Sequence, residues 1–390
     1  MELSRRIRGI VEGGDDGWSV YYRAHALRAQ GEPVVMLTIG DHDIGTDGRI
    51  LDAMRASLAA GNLGYAAVMG SHALRDAIAA RVGARHRLGA ARENVMVTAG
   101  GQAALFAGFS AVLDPGQSAV VLDPYYATFA QTVRAAAGHP IVVATPADEG
   151  FQPDVGAIER ALAPDTRAIL INTPNNPTGA VYQPARLEAL ADLCRRRDLW
   201  LISDELYESQ VYQGRHISPR DLDGMAERTL VVGSLSKSHA MTGSRLGWIV
   251  GPAEAVARIG ELATTTTYGL PGYIQDAGLY ALTEGAGIEQ AIAARYRRRA
   301  EAALEAVANA PGVRALPPMG GMYLMLDLRA TGLSGHAFAH RLLEAERIAV
   351  MPGESFGSAA AGHVRVALTV PEAELRAALA RLAAFARALD

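Results

Sequence analysis

Short apolar runs alternate with longer segments of helical periodicity over the first two thirds of the chain. The runs are NVMVTAG, SAVVLD, PIVVATP, RAILIN, LWLISDE, TLVVGSLS and RLGWIVG. Several are followed by Ala-, Leu- and Arg-rich stretches long enough for a helix, such as 102–113, 154–162 and 184–197. Strands that are apolar on both faces and separated by helices are typical of a parallel sheet covered on both sides. The pattern predicts an α/β fold whose large domain has a mostly parallel seven-stranded sheet.

The pattern changes near residue 270. Helical segments at 271–282 and 287–308 precede the strands GVRAL, GMYLMLDL and HVRVALT and a closing helix from Glu372. This order predicts a smaller α+β domain. We therefore expect an N-terminal segment, 1–40, that packs with the small domain, a large domain at 41–275 and the small domain at 276–390. A helix near 18–30 is predicted within the first of these.

Polar motifs follow five of the predicted strands. AGGQ, DPYY, NNPTG, SDELY and SLSK each stand after an apolar run. In parallel sheets, ligands bind outside the carboxyl ends of the strands. The five motifs therefore predict a ligand site at that edge of the large sheet.

Lys237 and Asp204 have the clearest chemical interpretation. Lys237 lies in a glycine- and serine-rich turn eight residues before Arg245. It is either a surface lysine or a desolvated amine beside a fixed guanidinium, which suits Schiff-base chemistry. Asp204 ends an apolar strand, and a buried carboxylate requires a cationic partner, of which a protonated pyridine nitrogen is one.

The other motifs favour an anion. Ser234, Ser236 and Arg245 offer two hydroxyls and a forked cation, which suit a phosphate. Gly100 and Gly101 lead from a strand into a helix, whose first N–H groups also favour phosphate. The Asn-Pro turn of NNPTG is a means of directing the Asn176 amide towards a ligand oxygen.

Together these motifs resemble those of the class I/II aminotransferases, which are fold type I pyridoxal-phosphate (PLP) enzymes. The resemblance is carried by NNPTG at 175–179, SDELY at 203–207, SLSK with Arg245, GYxxxxGxxxLR at 64–75 and MPGxxFG at 351–357. These motifs extend over nearly the whole chain. The resemblance implies a PLP-dependent aminotransferase that passes the amino group of an L-amino acid to a 2-oxo acid by a ping-pong mechanism through pyridoxamine phosphate.

The resemblance also implies roles for individual residues. Lys237 matches the lysine that holds PLP as an internal aldimine and moves the proton between the substrate Cα and the cofactor. Asp204 matches the aspartate that keeps the pyridine nitrogen protonated. Asn176 and Tyr207 match the residues that hydrogen-bond the cofactor's 3′-oxygen.

Further cofactor contacts follow from the same resemblance. Tyr125, or alternatively Tyr126, is implied to stack on the cofactor ring. Tyr65 is implied to reach the phosphate of a neighbouring subunit, which predicts a homodimer with shared active sites. The phosphate-binding residues implied within the chain are Gly101, Gln102, Ser234, Ser236 and Arg245.

Arg365 and Gly40 are implied to bind the substrate. Arg365, in GHVRVAL, matches the arginine that grips the α-carboxylate with a bidentate fork, and Gly40, in LTIGDHD, matches the backbone that closes over it. Asn176 is also expected near the substrate. His42 stands where the family commonly has proline and is either a substrate-side group or a solvent-facing loop residue. TTTTY at 264–268 either lines the neighbouring subunit's pocket or is a plain loop.

Composition and charge limit the partners. The 390 residues contain 37 Lys plus Arg and 41 Asp plus Glu, for a net charge of −4, which argues against nucleic-acid and membrane partners. One cysteine excludes an intramolecular disulfide and a multi-cysteine metal site, and we predict no metal. VEGGDDGW at 11–18 interrupts the apolar core that a signal peptide requires, so we expect a cytoplasmic protein.

Two alternatives to transamination remain at this point. The same PLP-binding residues support a lyase that cleaves C–S bonds by β-elimination, or an amino acid oxidase. A ligand-sensing domain of a transcription regulator would require a DNA-binding module, and no basic helix-turn-helix pattern precedes the aminotransferase pattern. The side-chain pocket is not identified by any motif, so acidic, basic, aromatic and aliphatic substrates all stay open.

Overall fold

The computed structural model describes residues 1–11 and 17–389. Most of the acidic stretch at 11–18 therefore lies outside the described residues. Fourteen helices and twelve strands are formed within them. The strands are β1 Val35–Leu37, β2 Val95–Thr98, β3 Ser118–Asp123, β4 His139–Ala144, β5 Thr166–Asn172, β6 Trp200–Asp204, β7 Thr229–Ser234, β8 Gly247–Val250, β9 Arg314–Leu316, β10 Tyr323–Asp327, β11 Ile348–Pro352 and β12 His363–Ala367.

The helices range from one turn to more than five turns in length. They are α1 Arg5–Arg8, α2 Ser19–Ala29, α3 Gly48–Ala59, α4 His72–Arg85, α5 Gly100–Val112, α6 Phe129–Ala135, α7 Val155–Ala161, α8 Pro184–Arg197, α9 Leu235–Ser238, α10 Ala253–Thr265, α11 Gly272–Thr283, α12 Ile288–Val307, α13 Gly335–Glu346 and α14 Glu372–Arg387. No helix among the described residues is both long enough and apolar enough to cross a membrane.

The large sheet has seven strands in the order β2-β8-β7-β6-β5-β3-β4. Only β8 runs antiparallel to its neighbours β2 and β7. Each of the seven apolar runs forms one of these strands, so the predicted α/β fold with a mostly parallel seven-stranded sheet is confirmed.

A smaller five-stranded sheet has the order β1-β11-β12-β10-β9. Sequence analysis found three of its strands and missed β1 and β11. The first is only three residues long, and the second is contained in the run IAVMP, whose end belongs to a motif that was interpreted for its chemistry. Strand β1 pairs in parallel with β11, which connects the N-terminal segment to this sheet. The domain boundaries at 40 and 275 stay a prediction.

Alternation along the central strands explains why helices cover both faces of the large sheet. Ile169 and Leu201 pack on one face with Leu187 and Leu190 of α8. The next residues in each strand, Leu170 and Ile202, pack on the other face with a cluster around Phe109 of α5. Because both faces are buried, the strands are continuously apolar and their polar residues are found at the carboxyl ends.

A buried ion-pair network joins α4 to the segment after β6 and to α12. Arg81 of α4 donates to Glu208 at 2.7 Å and to Glu289 at 2.6 Å, and its side chain is largely buried. Although burial acts to raise the pKa of Glu289, hydrogen bonds and charge from Arg81, together with the charge of Arg85, hold that pKa below its ordinary value. The two carboxylates therefore depend on their arginine partners.

We expect Arg81→Met to lower the free energy of unfolding by roughly 3 kcal/mol at pH 7, because it leaves two buried carboxylates short of a counter-ion. Because burial without a counter-ion raises the pKa of the two carboxylates in the variant, they take up protons there as the pH falls towards 4, and the loss should shrink. Urea unfolding at pH 7 and at pH 4 measures the free energy of unfolding of the wild-type protein and the variant. Arg92→Met, which removes an exposed pair with Asp76, serves as the control and should change little.

Candidate active site

A cavity of about 590 Å³ opens at the carboxyl edge of the large sheet. It brings together most of the residues predicted from the sequence. Those that line it are Gly40, Gly101, Gln102, Asn176, Asp204, Tyr207, Ser236, Lys237, Arg245 and Arg365. Three predicted residues do not line it within this chain: Tyr65, Tyr125 and Ser234.

Lys237 projects into the cavity from the short helix α9, which follows β7. The side chain of Ser234 begins this helix by accepting a hydrogen bond from the backbone N–H of Ser236. The Lys237 amine donates to the backbone carbonyl of Gly40. Lys237 is the only lysine among the 390 residues, so the chain has a single side-chain amine.

Asp204 is the last residue of β6 and is only 5 % exposed. Burial, with a smaller contribution from the charge of Glu205, raises its pKa to about 7. Within the chain, its Oδ1 accepts a hydrogen bond from the Leu206 N–H at 3.2 Å. A cation bound beside Asp204 would favour the ionised form.

The start of α5 and the Arg245 guanidinium form a cradle for an anion. Gly100 has a φ of +81°, and a Cβ at this position would lie 2.6 Å from Arg245 Nη2. A larger residue here would be strained by the positive φ and would displace the guanidinium. The Ser236 hydroxyl is fixed nearby by the Ser234 hydroxyl at 2.9 Å. N–H groups, hydroxyl and guanidinium together suit a phosphate.

Arg365 is 1 % exposed, and its guanidinium lies between two aromatic rings. Its Cζ is 4.3 Å from the ring centroids of both Tyr323 and Phe356. Its Nη1 donates to Asn176 Oδ1 at 2.9 Å, and its Nη2 donates to the Thr38 carbonyl. Nε has no hydrogen-bond partner among the described residues. A buried arginine whose partners are neutral oxygens is suited to bind a carboxylate.

Tyr323 is a site residue that sequence reasoning missed. It lines the cavity, its hydroxyl accepts a hydrogen bond from Tyr207 at 3.3 Å, and its ring covers Arg365. Its place in the run GMYLMLDL is typical of a core strand, so only the register of β10 against β12 brings it to the site.

Of the two adjacent tyrosines, Tyr126 lines the cavity and Tyr125 is not among the lining residues. The backbone N–H of Tyr125 donates to the Phe356 carbonyl at 2.8 Å. This placement favours Tyr126, which sequence analysis gave as the alternative. Gln102 lines the cavity, but its side-chain amide is bound to Thr128 and Thr132, so its backbone N–H is the group left for a ligand.

Two further predicted residues lie outside the cavity. Tyr65 is 92 % exposed, and its ring contacts that of Tyr268, which is 52 % exposed, with the ring centroids 5.2 Å apart. His42 is not solvent-facing: its Nδ1 is 2.9 Å from the Tyr296 hydroxyl, and burial lowers its pKa to about 4. His42 is therefore neutral near pH 7.

Comparisons with known proteins agree with this geometry. A family model for aminotransferase class I and II matches residues 32–382. An arginine–pyruvate transaminase from Pseudomonas aeruginosa is 43 % identical over 383 residues, which is 98 % of each chain. An aspartate/prephenate aminotransferase from Thermus thermophilus is 40 % identical over 385 residues, again 98 % of each chain. The solved structure of Thermus thermophilus aspartate aminotransferase with maleate has a TM-score of 0.92 at 38 % identity, covering 98 % of this chain and 100 % of that one.

The chain belongs to the class I and II aminotransferases. It has their fold type I architecture and it is an enzyme that transfers amino groups. The relatives named above are all aminotransferases, which supports transamination and not the elimination or oxidation that the sequence left as alternatives.

We expect Gly100→Ala to weaken binding of inorganic phosphate by about tenfold or more, because the new Cβ collides with Arg245 and the positive φ disfavours alanine. Calorimetric titration of the cofactor-free protein measures the affinity. Gly243→Ala is the matched control, since it also faces the cavity but a Cβ there meets nothing within 4 Å. Equal affinities in the two variants would contradict the cradle.

Proposed function

We propose that the cavity binds PLP and that the enzyme moves the amino group of an L-amino acid to a 2-oxo acid in two half-reactions. The observation that carries the proposal is the convergence of one amine, one buried carboxylate and one anion cradle around the same cavity: Lys237, Asp204 and the Gly100–Arg245 contact. The amine, the carboxylate and the cradle match, in that order, the aldehyde, the pyridine nitrogen and the phosphate of PLP. When bound, PLP supplies an electrophilic carbonyl for amines and a ring that accepts electrons from the substrate Cα.

Six residues and the start of α5 hold the cofactor in this proposal. Asp204 favours a protonated pyridine nitrogen, because its buried carboxylate forms no salt bridge among the described residues and its pKa is raised by burial. Asn176 and the Tyr207 hydroxyl offer donors to the 3′-oxygen. Tyr126 supplies the aromatic face, while Ser236, Arg245 and the first N–H groups of α5 hold the phosphate.

The substrate is held at two points. Arg365 binds the α-carboxylate, and the backbone at Gly40 closes over it. Fixing both the carboxylate and the amine sets the direction of the Cα–H bond, which proton abstraction requires. Lys237 is the base that removes and returns this proton, because it is the only side-chain amine in the cavity. Amino acid and 2-oxo acid use the same site in turn.

We expect Lys237→Ala to abolish turnover and covalent capture of the cofactor. Because the chain has one lysine, borohydride treatment with PLP should add a single pyridoxyl phosphate to the wild-type protein. Intact-protein mass spectrometry measures the number of pyridoxyl phosphate groups attached to each chain. Arg245→Lys serves as a control that supplies a second amine in the same cavity. Capture by K237A at the wild-type level, or retained turnover, would overturn the proposal.

The proposal includes a homodimer. Tyr65 and Tyr268 form an exposed aromatic pair, and Leu63 beside them is also exposed. Exposed apolar clusters of this kind mark protein interfaces. Since Tyr65 does not line its own chain's cavity, its implied phosphate contact requires a second copy. The cytoplasmic location also stays a prediction.

We expect Tyr65→Phe to weaken PLP binding by roughly tenfold, the effect of losing one hydrogen bond to a charged group. Mixing it with K237A tests the shared site, because a mixed dimer contains one cavity with both native residues. At a PLP concentration that leaves Y65F mostly unloaded, activity should reappear after subunit exchange. If no activity returns, Tyr65 does not act across subunits.

The amino donor is the part of the function that the relatives do not fix. The two curated relatives are named for donors of opposite side-chain charge, arginine and aspartate. The charges that line the side-chain end of the cavity are therefore the relevant evidence.

A further inference from the structure

Among the residues that the structure describes, five charged ones line the cavity: Asp41, Asp204, Lys237, Arg245 and Arg365. In the proposed function, on which this inference rests, the cofactor and the substrate's α-amino acid group occupy four of them. Asp204 faces the pyridine nitrogen, Lys237 the reacting carbon, Arg245 the phosphate and Arg365 the α-carboxylate. Asp41 is the one charge of the lining that this assignment does not use.

Asp41 has a defined position. Its Oδ1 accepts a hydrogen bond from Thr242 Oγ1 at 2.8 Å. Asp41 directly follows Gly40, whose backbone carbonyl accepts a hydrogen bond from the Lys237 amine. Asp41 is therefore one residue away from the backbone group that the reacting amine contacts. The flanking residues are fixed as well, because Arg299 forms an ion pair with Asp43 at 2.6 Å and Thr369 donates to the Ile39 carbonyl at 3.2 Å.

Within the described part of the cavity lining, a substrate with a distal carboxylate finds no unassigned cation. The three cations of the cavity lining each have an assigned role, and the remaining charge is negative. Two carboxylates brought together repel one another and raise the cost of desolvation. The segment 264–268, offered by the sequence as a neighbouring subunit's contribution, contains no lysine or arginine.

For a substrate with a cationic side chain, the cavity provides both a counter-ion and apolar surface. Asp41 supplies a counter-ion at the exposed mouth of the cavity, while Trp18 and Ile39 supply apolar lining. Long cationic side chains pack their methylene stems on apolar surface and keep the charged end at the rim, and an indole ring also attracts a cation.

We propose that Asp41 is a specificity-determining residue and that the preferred amino donor has a cationic side chain, a guanidinium or an ammonium group. Arginine and citrulline test this directly, because they have nearly the same shape and differ in charge. In the holoenzyme without oxo acid, the change in cofactor absorption gives kcat/KM for each donor.

We expect kcat/KM for arginine to exceed that for citrulline by up to about fivefold, the upper end for one exposed ion pair. Asp41→Asn should reduce this ratio towards one, and Asp41→Glu, which keeps the charge, should retain part of it. Added salt should lower the ratio in the wild-type enzyme, because the pair is solvent-exposed. Asp192→Asn, which makes the same charge change on the exposed surface of α8, should leave the ratio unaltered.

Glutamate reacting as well as arginine, or an arginine-to-citrulline ratio that is the same in D41N, would overturn the proposal while leaving transamination intact. If no amino acid changes the cofactor absorption, the proposed function itself fails, and the role of Asp41 fails with it. The two failures are therefore distinguished in one experiment.

Discussion

The buried guanidinium of Arg365 is the constraint around which the site is organised. An ionised group removed from water costs several kcal/mol even after the surroundings relax, unless it is paired. Its surroundings offer two aromatic faces and two neutral oxygens, from Asn176 and Thr38. These reduce the cost but do not supply a negative charge, so a carboxylate ligand gains more here than it would in water.

The two oxygens also connect Arg365 to both sheets. Asn176 follows β5, and its backbone N–H donates to Asn172, the last residue of that strand. Asn172 in turn donates to the carbonyl of Asp204, at the end of β6. Thr38 follows β1 of the small sheet. The arginine that would bind the substrate is therefore in contact with the residues that would bind the cofactor, and displacement of either sheet would disturb both.

The sequence predicted the parts of the site that are local in the chain. Asp204 is the last residue of β6 and Lys237 lies in the short helix that follows β7, so the local sequence predicts both the motif and its position at the sheet edge. Tyr323 could not be found in this way, because its strand is apolar throughout and only its pairing with β12 places the ring over Arg365. The sequence alone could not decide between Tyr125 and Tyr126 for a related reason: adjacent residues point in different directions, and tertiary packing decides which one faces the cavity.

Donor selectivity follows a different rule from cofactor binding. Every donor has the same α-carboxylate, and Arg365, which would bind it, is buried and contacts two aromatic rings and two oxygens. The side-chain end is open to solvent, where Asp41 and Thr242 are joined by a single hydrogen bond. Exposed residues change at little cost in stability. The charge preferred in the donor can therefore change at Asp41 without altering Arg365, Lys237 or the sheet, and fold type alone does not determine the substrate.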